Sequence, residues 1–189
     1  MKNAIILHGM PDKDKEYYNP KEPSASNAQW LPWLQKQLTV HDIKADTPEV
    51  PFAFKPQWDL WVREVERFEI TPETLLVGHS CGGGFWVRYL SEHPEIYVGT
   101  VVLVAPWLNL GHEEDISFFD FEIDPGIVAR AKKFVIFASD NDMQVVTDSS
   151  NFLRDKIPEA KFREFHNYGH FCSSDMKTNE FPELLEELL

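Results

Sequence analysis

Cysteine is scarce in this chain: Cys81 and Cys172 are the two present among 189 residues. So few thiols exclude a disulfide framework, and no Cys-x-x-Cys pair marks a metal module. His8, His79, His166 and His170 are therefore read without a metal, and no cofactor is expected. Basic charge is short as well. Eighteen Lys and Arg face 31 Asp and Glu, for a formal net charge of −13. That balance argues against nucleic acid and anionic membrane surfaces as partners, because both recruit basic patches. It also disfavours a highly anionic substrate. Long apolar runs are missing too: after Lys2, Ala4-Ile5-Ile6-Leu7 is too short for a signal peptide or a membrane span. The expectation is a soluble, cytoplasmic protein.

Apolar residues make up 43% of the chain and aromatics 13%, a globular composition. The length suits one domain spanning 1–189. The stretch that organises it is Leu75-Leu76-Val77-Gly78-His79-Ser80-Cys81-Gly82-Gly83-Gly84. A short apolar run ends in Gly-x-Ser-x-Gly, and an amphipathic segment follows over 85–93. This is the pattern of a nucleophile elbow, a strand, sharp turn and helix that lift the serine hydroxyl clear at a sheet's end. Gly78 and Gly82 suit the crowding of strand against helix. A phosphate loop would need a lysine after its glycines, and none follows. Cys81 is a rival nucleophile only if position 79 were glycine. It is His79, so the frame fits Ser80.

Along the chain, residues 4–7 read as a strand buried on both faces. A long polar loop follows over 11–27, where loops usually have a job. Trp30, Leu31, Leu34 and Leu38 then fall at helical spacing, with Ser26 or Asn27 as the expected cap. Residues 43–45 are a marginal strand. Trp58, Trp61, Val62, Val65 and Phe68 form a helical stripe of core residues. Further strands are expected over 100–104, 134–138 and 161–165, a helix capped by Thr147 or Asp148, and a last helix carrying Phe181, Leu184, Leu185 and Leu188. Residues 108–126 show no clear period; they are acidic, through Glu113, Glu114, Asp115, Asp120, Glu122 and Asp124, and carry Phe118, Phe119 and Phe121. Strands alternating with helices imply a doubly wound α/β sandwich, whose sites lie beyond the carboxyl ends of the strands.

Three chemical groups fall at such ends in the order Ser80, Asp142, His170. A serine hydroxyl needs a base within hydrogen-bond reach, and the base needs a carboxylate that orients it and stabilises its charged form. Ser80 is the expected nucleophile, His170 the base and then acid, and Asp142 the orienting carboxylate. His166 competes with His170, and Asp140 competes with Asp142 from the same loop. An oxyanion hole takes two backbone donors. The Cys81 amide follows the nucleophile. Met10 is the better second donor, with Gly9 behind it, because Pro11 has no N–H. Trp107, Phe118 and Phe119 are candidate substrate-binding residues, with core packing as the competing role. His8 and His79 are read as structural, and Cys81 and Cys172 as packed thiols rather than a redox pair.

With these residues placed, the chain resembles the small serine hydrolases of the α/β-hydrolase superfamily. It is most similar to the group typified by retinoblastoma-binding protein 9 and its bacterial YdeN-like relatives. The resemblance rests on Ile5-Ile6-Leu7-His8-Gly9, Gly78-His79-Ser80-Cys81-Gly82-Gly83, Ser139-Asp140-Asn141-Asp142 and Gly169-His170-Phe171. It implies a compact three-layer α/β/α sandwich, with six parallel strands, no large cap domain and a triad at Ser80, Asp142 and His170. It departs from the group at Val145-Val146, where the group carries a proline, which leaves Asp140 in play beside Asp142. The implied activity is hydrolysis of a carboxylic ester, thioester or small amide, with a small acyl compound as partner. A protein-binding module on the same fold is the alternative, and so is a peptidase acting on small peptides.

Overall fold

The computed structural model describes residues 2–111 and 117–189. Six strands form one parallel sheet in the order β2-β1-β3-β4-β5-β6. They are β1 (Asn3–Leu7), β2 (Lys44–Asp46), β3 (Leu75–His79), β4 (Val98–Val104), β5 (Ala131–Ser139) and β6 (Lys161–Phe165). Among the described residues, six α-helices accompany them: α1 (Leu31–Val40), α2 (Trp58–Val65), α3 (Cys81–Glu92), α4 (Gln144–Lys156), α5 (Ser173–Met176) and α6 (Pro182–Leu188).

The central strands are apolar end to end because both of their faces are covered. All five residues of β3 are buried, and Ile5, Ile6, Leu76 and Val77 are 0% exposed. Parallel sheets demand this, since helices pack on either side. The outer strand β6 keeps one buried residue, Phe165, which is why its sequence reads as mixed. The chain passes from β1 outward to β2 and returns across β1 to β3. Strand order therefore reverses beside β1, and the carboxyl ends of β1 and β3 lie side by side. In doubly wound sheets such a reversal leaves the crevice where ligands bind.

Several local expectations are corrected. Neither Ser26 nor Asn27 caps α1. They lie in a 3-10 turn (Ala25–Asn27), and α1 starts behind Trp30 with a proline in its first turn. Helix α4 begins at Gln144, before Thr147 and Asp148, so both sit inside the helix and Met143 is its cap residue. The 11–27 segment carries structure of its own. Asp12 accepts the N–H groups of Asp14 and Lys15 at 3.0 and 2.8 Å, and Glu16 reaches back to the Asp12 N–H at 2.7 Å. This reciprocal capping closes a wide helical turn (Lys13–Tyr17). Within the acidic 108–126 stretch, Glu113, Glu114 and Asp115 fall outside the described residues.

Phe118 turns into the core. Its ring lies 5.8, 5.3 and 6.2 Å from those of Trp58, Trp61 and Phe85. Burying an aromatic of this size stabilises the fold by about 1.5–3 kcal/mol. Arg88 holds the segment there by donating to the Ser117 and Phe118 carbonyls at 3.1 and 2.8 Å.

Candidate active site

The site is built at the end of β3. Ser80 has φ 53° and ψ −117°, a conformation that costs a side-chain-bearing residue about 1–3 kcal/mol unless its surroundings hold it. Four backbone hydrogen bonds hold it here. The Ser80 N–H donates to Val104 O at 2.9 Å, and Ser80 O accepts from Gly83, Gly84 and Trp107 at 2.9, 3.1 and 3.1 Å. The flanking glycines are a steric necessity. A Cβ on Gly78 would run into the Gly82 carbonyl, and one on Gly82 would lie 2.5 Å from His8 O. The elbow therefore locks β3, α3 and the end of β1 together.

The chain beyond β1 passes directly over Ser80. A Cβ on Gly9 would lie 3.1 Å from Ser80 Cβ and 3.6 Å from Ser80 Oγ. Ser80, Gly9, Met10 and His170 all line one cavity of about 1110 Å³. Its outer wall comes from residues of the 16–33 segment, including Tyr17, Tyr18 and Trp33, and from Glu49. Among the described residues, three glutamates line it, Glu16, Glu22 and Glu49, and no Lys or Arg does.

The candidate substrate-binding aromatics Trp107, Phe118 and Phe119 do not line this cavity. Of them, Phe119 lines a separate hollow of about 390 Å³ with Phe121 and Phe152. Trp107 is buried with its ring 5.2 Å from that of Phe119, and Phe118 is 1% exposed in the core. Phe118 and Phe119 belong to a 3-10 turn (Ser117–Phe119) that packs against α3, where Arg88 holds it.

His170 lies in the loop after β6, and its Nδ1 stands 3.0 Å from both Oδ1 and Oδ2 of Asp142. The Asp142 side chain is 2% exposed and that of His170 18%. Asp142 Oδ1 also accepts the Met143 N–H at 2.6 Å. With the Nδ1 proton directed at the carboxylate, Nε2 is the nitrogen left for other work. Among the described residues, no hydrogen bond joins Ser80 Oγ to His170, though both line the same cavity. Catalytic hydrogen bonds are often long until substrate arrives. Asp140 and His166 pair with each other instead, through Asp140 Oδ2 and His166 Nδ1.

The remaining polar groups are accounted for. His8 is buried; its Nδ1–H donates to Gly9 O at 2.7 Å, and its Nε2 accepts the Val50 N–H at 3.1 Å. Burial lowers its pKa. His79 is held neutral too: burial first, then the neighbouring His170, bring its pKa down to about 3. Cys81 and Cys172 are both free thiols. Burial raises the Cys81 thiol well above its ordinary range, and burial with nearby carboxylates pushes Cys172 up to about 12. Neither is a ready thiolate at neutral pH. Among the described residues, no group of three His, Cys, Asp or Glu side chains is placed to hold a metal ion. Among them, too, no helix is long and apolar enough to cross a membrane.

Sequence reasoning gave no role to the residues that shape the base loop. Asn141 Oδ1 accepts the Gly169 N–H and the Ser139 hydroxyl, both at 2.8 Å. Ser139 Oγ accepts the Tyr168 N–H at 3.0 Å, and Asp175 Oδ2 accepts the His170 N–H at 3.0 Å. Ser139 and Asn141 were visible as polar residues at a strand end; nothing local showed which loop they would hold.

Solved structures share this architecture. The ydeN gene product from B. subtilis superposes with a TM-score of 0.78 at 24% identity, covering 98% of this chain and 96% of that one. A putative YdeN-like hydrolase from Pectobacterium atrosepticum gives 0.64 at 15% identity, over 99% and 90%. Est1E from Butyrivibrio proteoclasticus, with ferulic acid bound, gives 0.63 at 10% identity, over 98% and 85%. At these identities the likeness establishes the α/β-hydrolase fold. No curated protein matches the chain. A family model described as serine hydrolase matches residues 23–188, and with a match over most of its length the chain belongs to that serine hydrolase family.

Proposed function

We propose that this hydrolase cleaves a carboxylic ester, a thioester or a small amide through an acyl-enzyme on Ser80. One observation carries the reading: an imidazole gripped by both oxygens of a buried carboxylate, in the cavity onto which a strained Ser80 opens. Ser80 Oγ attacks the substrate carbonyl carbon, and its proton passes to His170 Nε2. Asp142 holds the tautomer and stabilises the imidazolium that results. The amides of Cys81, at the start of α3, and of Met10, in the loop over Ser80, donate to the oxyanion. Proton return from His170 releases the alcohol, thiol or amine. Water, deprotonated by His170, then attacks the acyl-enzyme and frees the acid. The partner implied is a small acyl compound, which enters between the 16–33 wall and the elbow. The fold-alike Est1E, seen with the carboxylic acid ferulic acid bound, is consistent with an acid product.

The test is turnover of short-chain p-nitrophenyl esters together with fluorophosphonate labelling. Both are expected in the unaltered protein and absent in Ser80→Ala and His170→Ala. Labelling that persists in Ser80→Ala sinks the assignment. A protein-binding module without catalysis has no use for the buried Asp142–His170 pair, and no residue contact favours that alternative.

A further inference from the structure

His79 closes β3 and directly precedes Ser80. The elbow needs glycines at 78 and 82, but nothing in its own geometry asks for an imidazole at 79. A ring only 5% exposed must find a polar partner or leave one of its nitrogens unsatisfied, at a cost of about 1–3 kcal/mol. Its partner lies 91 residues away, where His79 Nε2 stands 2.8 Å from the backbone carbonyl of His170. Only the N–H form of Nε2 makes that bond, so His79 donates. Its ring also lies 4.9 Å from the His170 ring, tilted by 40°, and 5.7 Å from the indole of Trp30. Trp30 Nε1–H in turn donates to the next carbonyl, Phe171 O, at 3.1 Å.

The loop needs such ties. The residues on either side of His170 are both left-handed, Gly169 at φ 53° and Phe171 at φ 56°. For Phe171 that conformation is strained and persists only where the surroundings impose it. Two successive carbonyls, at 170 and 171, are each held by a side-chain donor, His79 at the end of β3 and Trp30 just ahead of α1, while Asp175 holds the His170 N–H.

We infer that His79 is a positioning residue for the general base: it fastens the His170 backbone to the residue next to the nucleophile, so that Ser80 and His170 share one anchor. This rests on the function proposed above. A base placed by a loop alone drifts with that loop. A base tied to the elbow moves with the elbow, and the distance between Oγ and Nε2 is governed by a short rigid path. The neutrality of His79 fits the role, because a charged ring 4.9 Å away would oppose the positive charge that His170 takes on in each turnover.

The test compares His79→Gln, which keeps a neutral N–H donor, with His79→Met, similar in bulk and without one. His79→Met is expected to lower kcat by about 10²-fold with KM within about twofold, the signature of lost geometry rather than lost binding, whereas His79→Gln stays within about fivefold of the unaltered kcat. A second readout is the low-field proton resonance of His170 Nδ1–H, expected in the unaltered protein and in His79→Gln but broadened or lost in His79→Met. Equal falls in the two variants, or an unchanged kcat and resonance in His79→Met, overturn the inference. If His79→Met does not fold, a fall beyond about tenfold in well-folded His79→Gln overturns it by the same geometric criterion. If the unaltered protein neither labels at Ser80 nor turns over esters, the proposed function fails, and the resonance comparison still judges His79.

Discussion

Two aspartate–histidine pairs bridge the same two loops, beyond β5 and β6, only a few residues apart. Asp140 with His166 is the outer pair, its side chains 35% and 81% exposed; Asp142 with His170 is the inner pair, at 2% and 18%. The residue types are identical, and their physics is not. The outer pair sits in water, where salt and solvent weaken it. The Asn167 N–H, and then His166, hold the Asp140 carboxyl below its ordinary range, and the pair fastens one turn of the loop. The inner pair is shielded and faces the cavity that holds Ser80. A carboxylate touching an imidazole is therefore no evidence of catalysis by itself. Shielding, and a place in the cavity that Ser80 also lines, are what separate the two pairs.

The sharpest way to break this comparison is to remove the charge from each aspartate in turn. Asp142→Asn leaves the fold but favours the wrong tautomer of His170, and kcat/KM on a short-chain ester is expected to fall by about 10⁴-fold. Asp140→Asn, assayed alongside, is expected to stay within about twofold, since an exposed pair contributes little. Equal losses would erase the distinction between the pairs.

Acid unfolding extends the contrast to buried histidines. His79, with its pKa lowered to about 3, and His8, lowered by burial, both resist protonation in the folded chain. The unfolded chain takes up those protons first as pH falls below about 6.5. The His79 contribution is thus full well above that pH and declines as pH drops from 6.5 toward 3, with a slope of up to about 1.4 kcal/mol per pH unit, and His8 adds a decline of the same sign below about 6.5. Urea melts across this window are expected to show a shallower decline in His79→Gln. An unchanged slope would mean that His79 already carries its proton in the fold.

Charge on the substrate tests the cavity wall. Glu16, Glu22 and Glu49 line it and no Lys or Arg does. A succinyl ester is expected to turn over roughly tenfold more slowly than the neutral butyryl ester at low salt, as like charges nearby cost about 1–4 kcal/mol between the bulk-water and near-surface limits. The gap narrows at high ionic strength if the wall is the cause. The smallest effect is reserved for the outer histidine. His166→Ala is expected to change kcat/KM by less than about twofold, measured on the same neutral ester.

Much of the architecture was legible because it is written locally. Apolar runs such as Ile5-Ile6-Leu7 and Leu75-Leu76-Val77 announce strands covered on both faces, and the glycines around Ser80 announce a turn too crowded for side chains. Whether the aromatics after β4 line a pocket or pack in the core stayed open in the sequence. Phe118 and Phe119 share composition and period with any pocket lining, and only the neighbours Trp58, Trp61 and Phe85 show that Phe118 belongs to the core. The cap of α1 was misplaced for another reason: Ser26 has the chemistry of a cap, but it sits in the 3-10 turn Ala25–Asn27, too far ahead of Leu31 to meet the first N–H groups of α1.

From sequence alone came the alternation of strands and helices, the elbow and the residue at its centre. Each is dictated within about ten residues by period, steric room and backbone preference. Which aspartate meets which histidine was decided only in three dimensions, and so were the partners of His79 and Trp30. Those pairings span 28, 91 and 141 positions. They depend on the path of left-handed loop residues pinned by Asn141 and Asp175, and no local pattern records the route a loop takes before it folds against its neighbours.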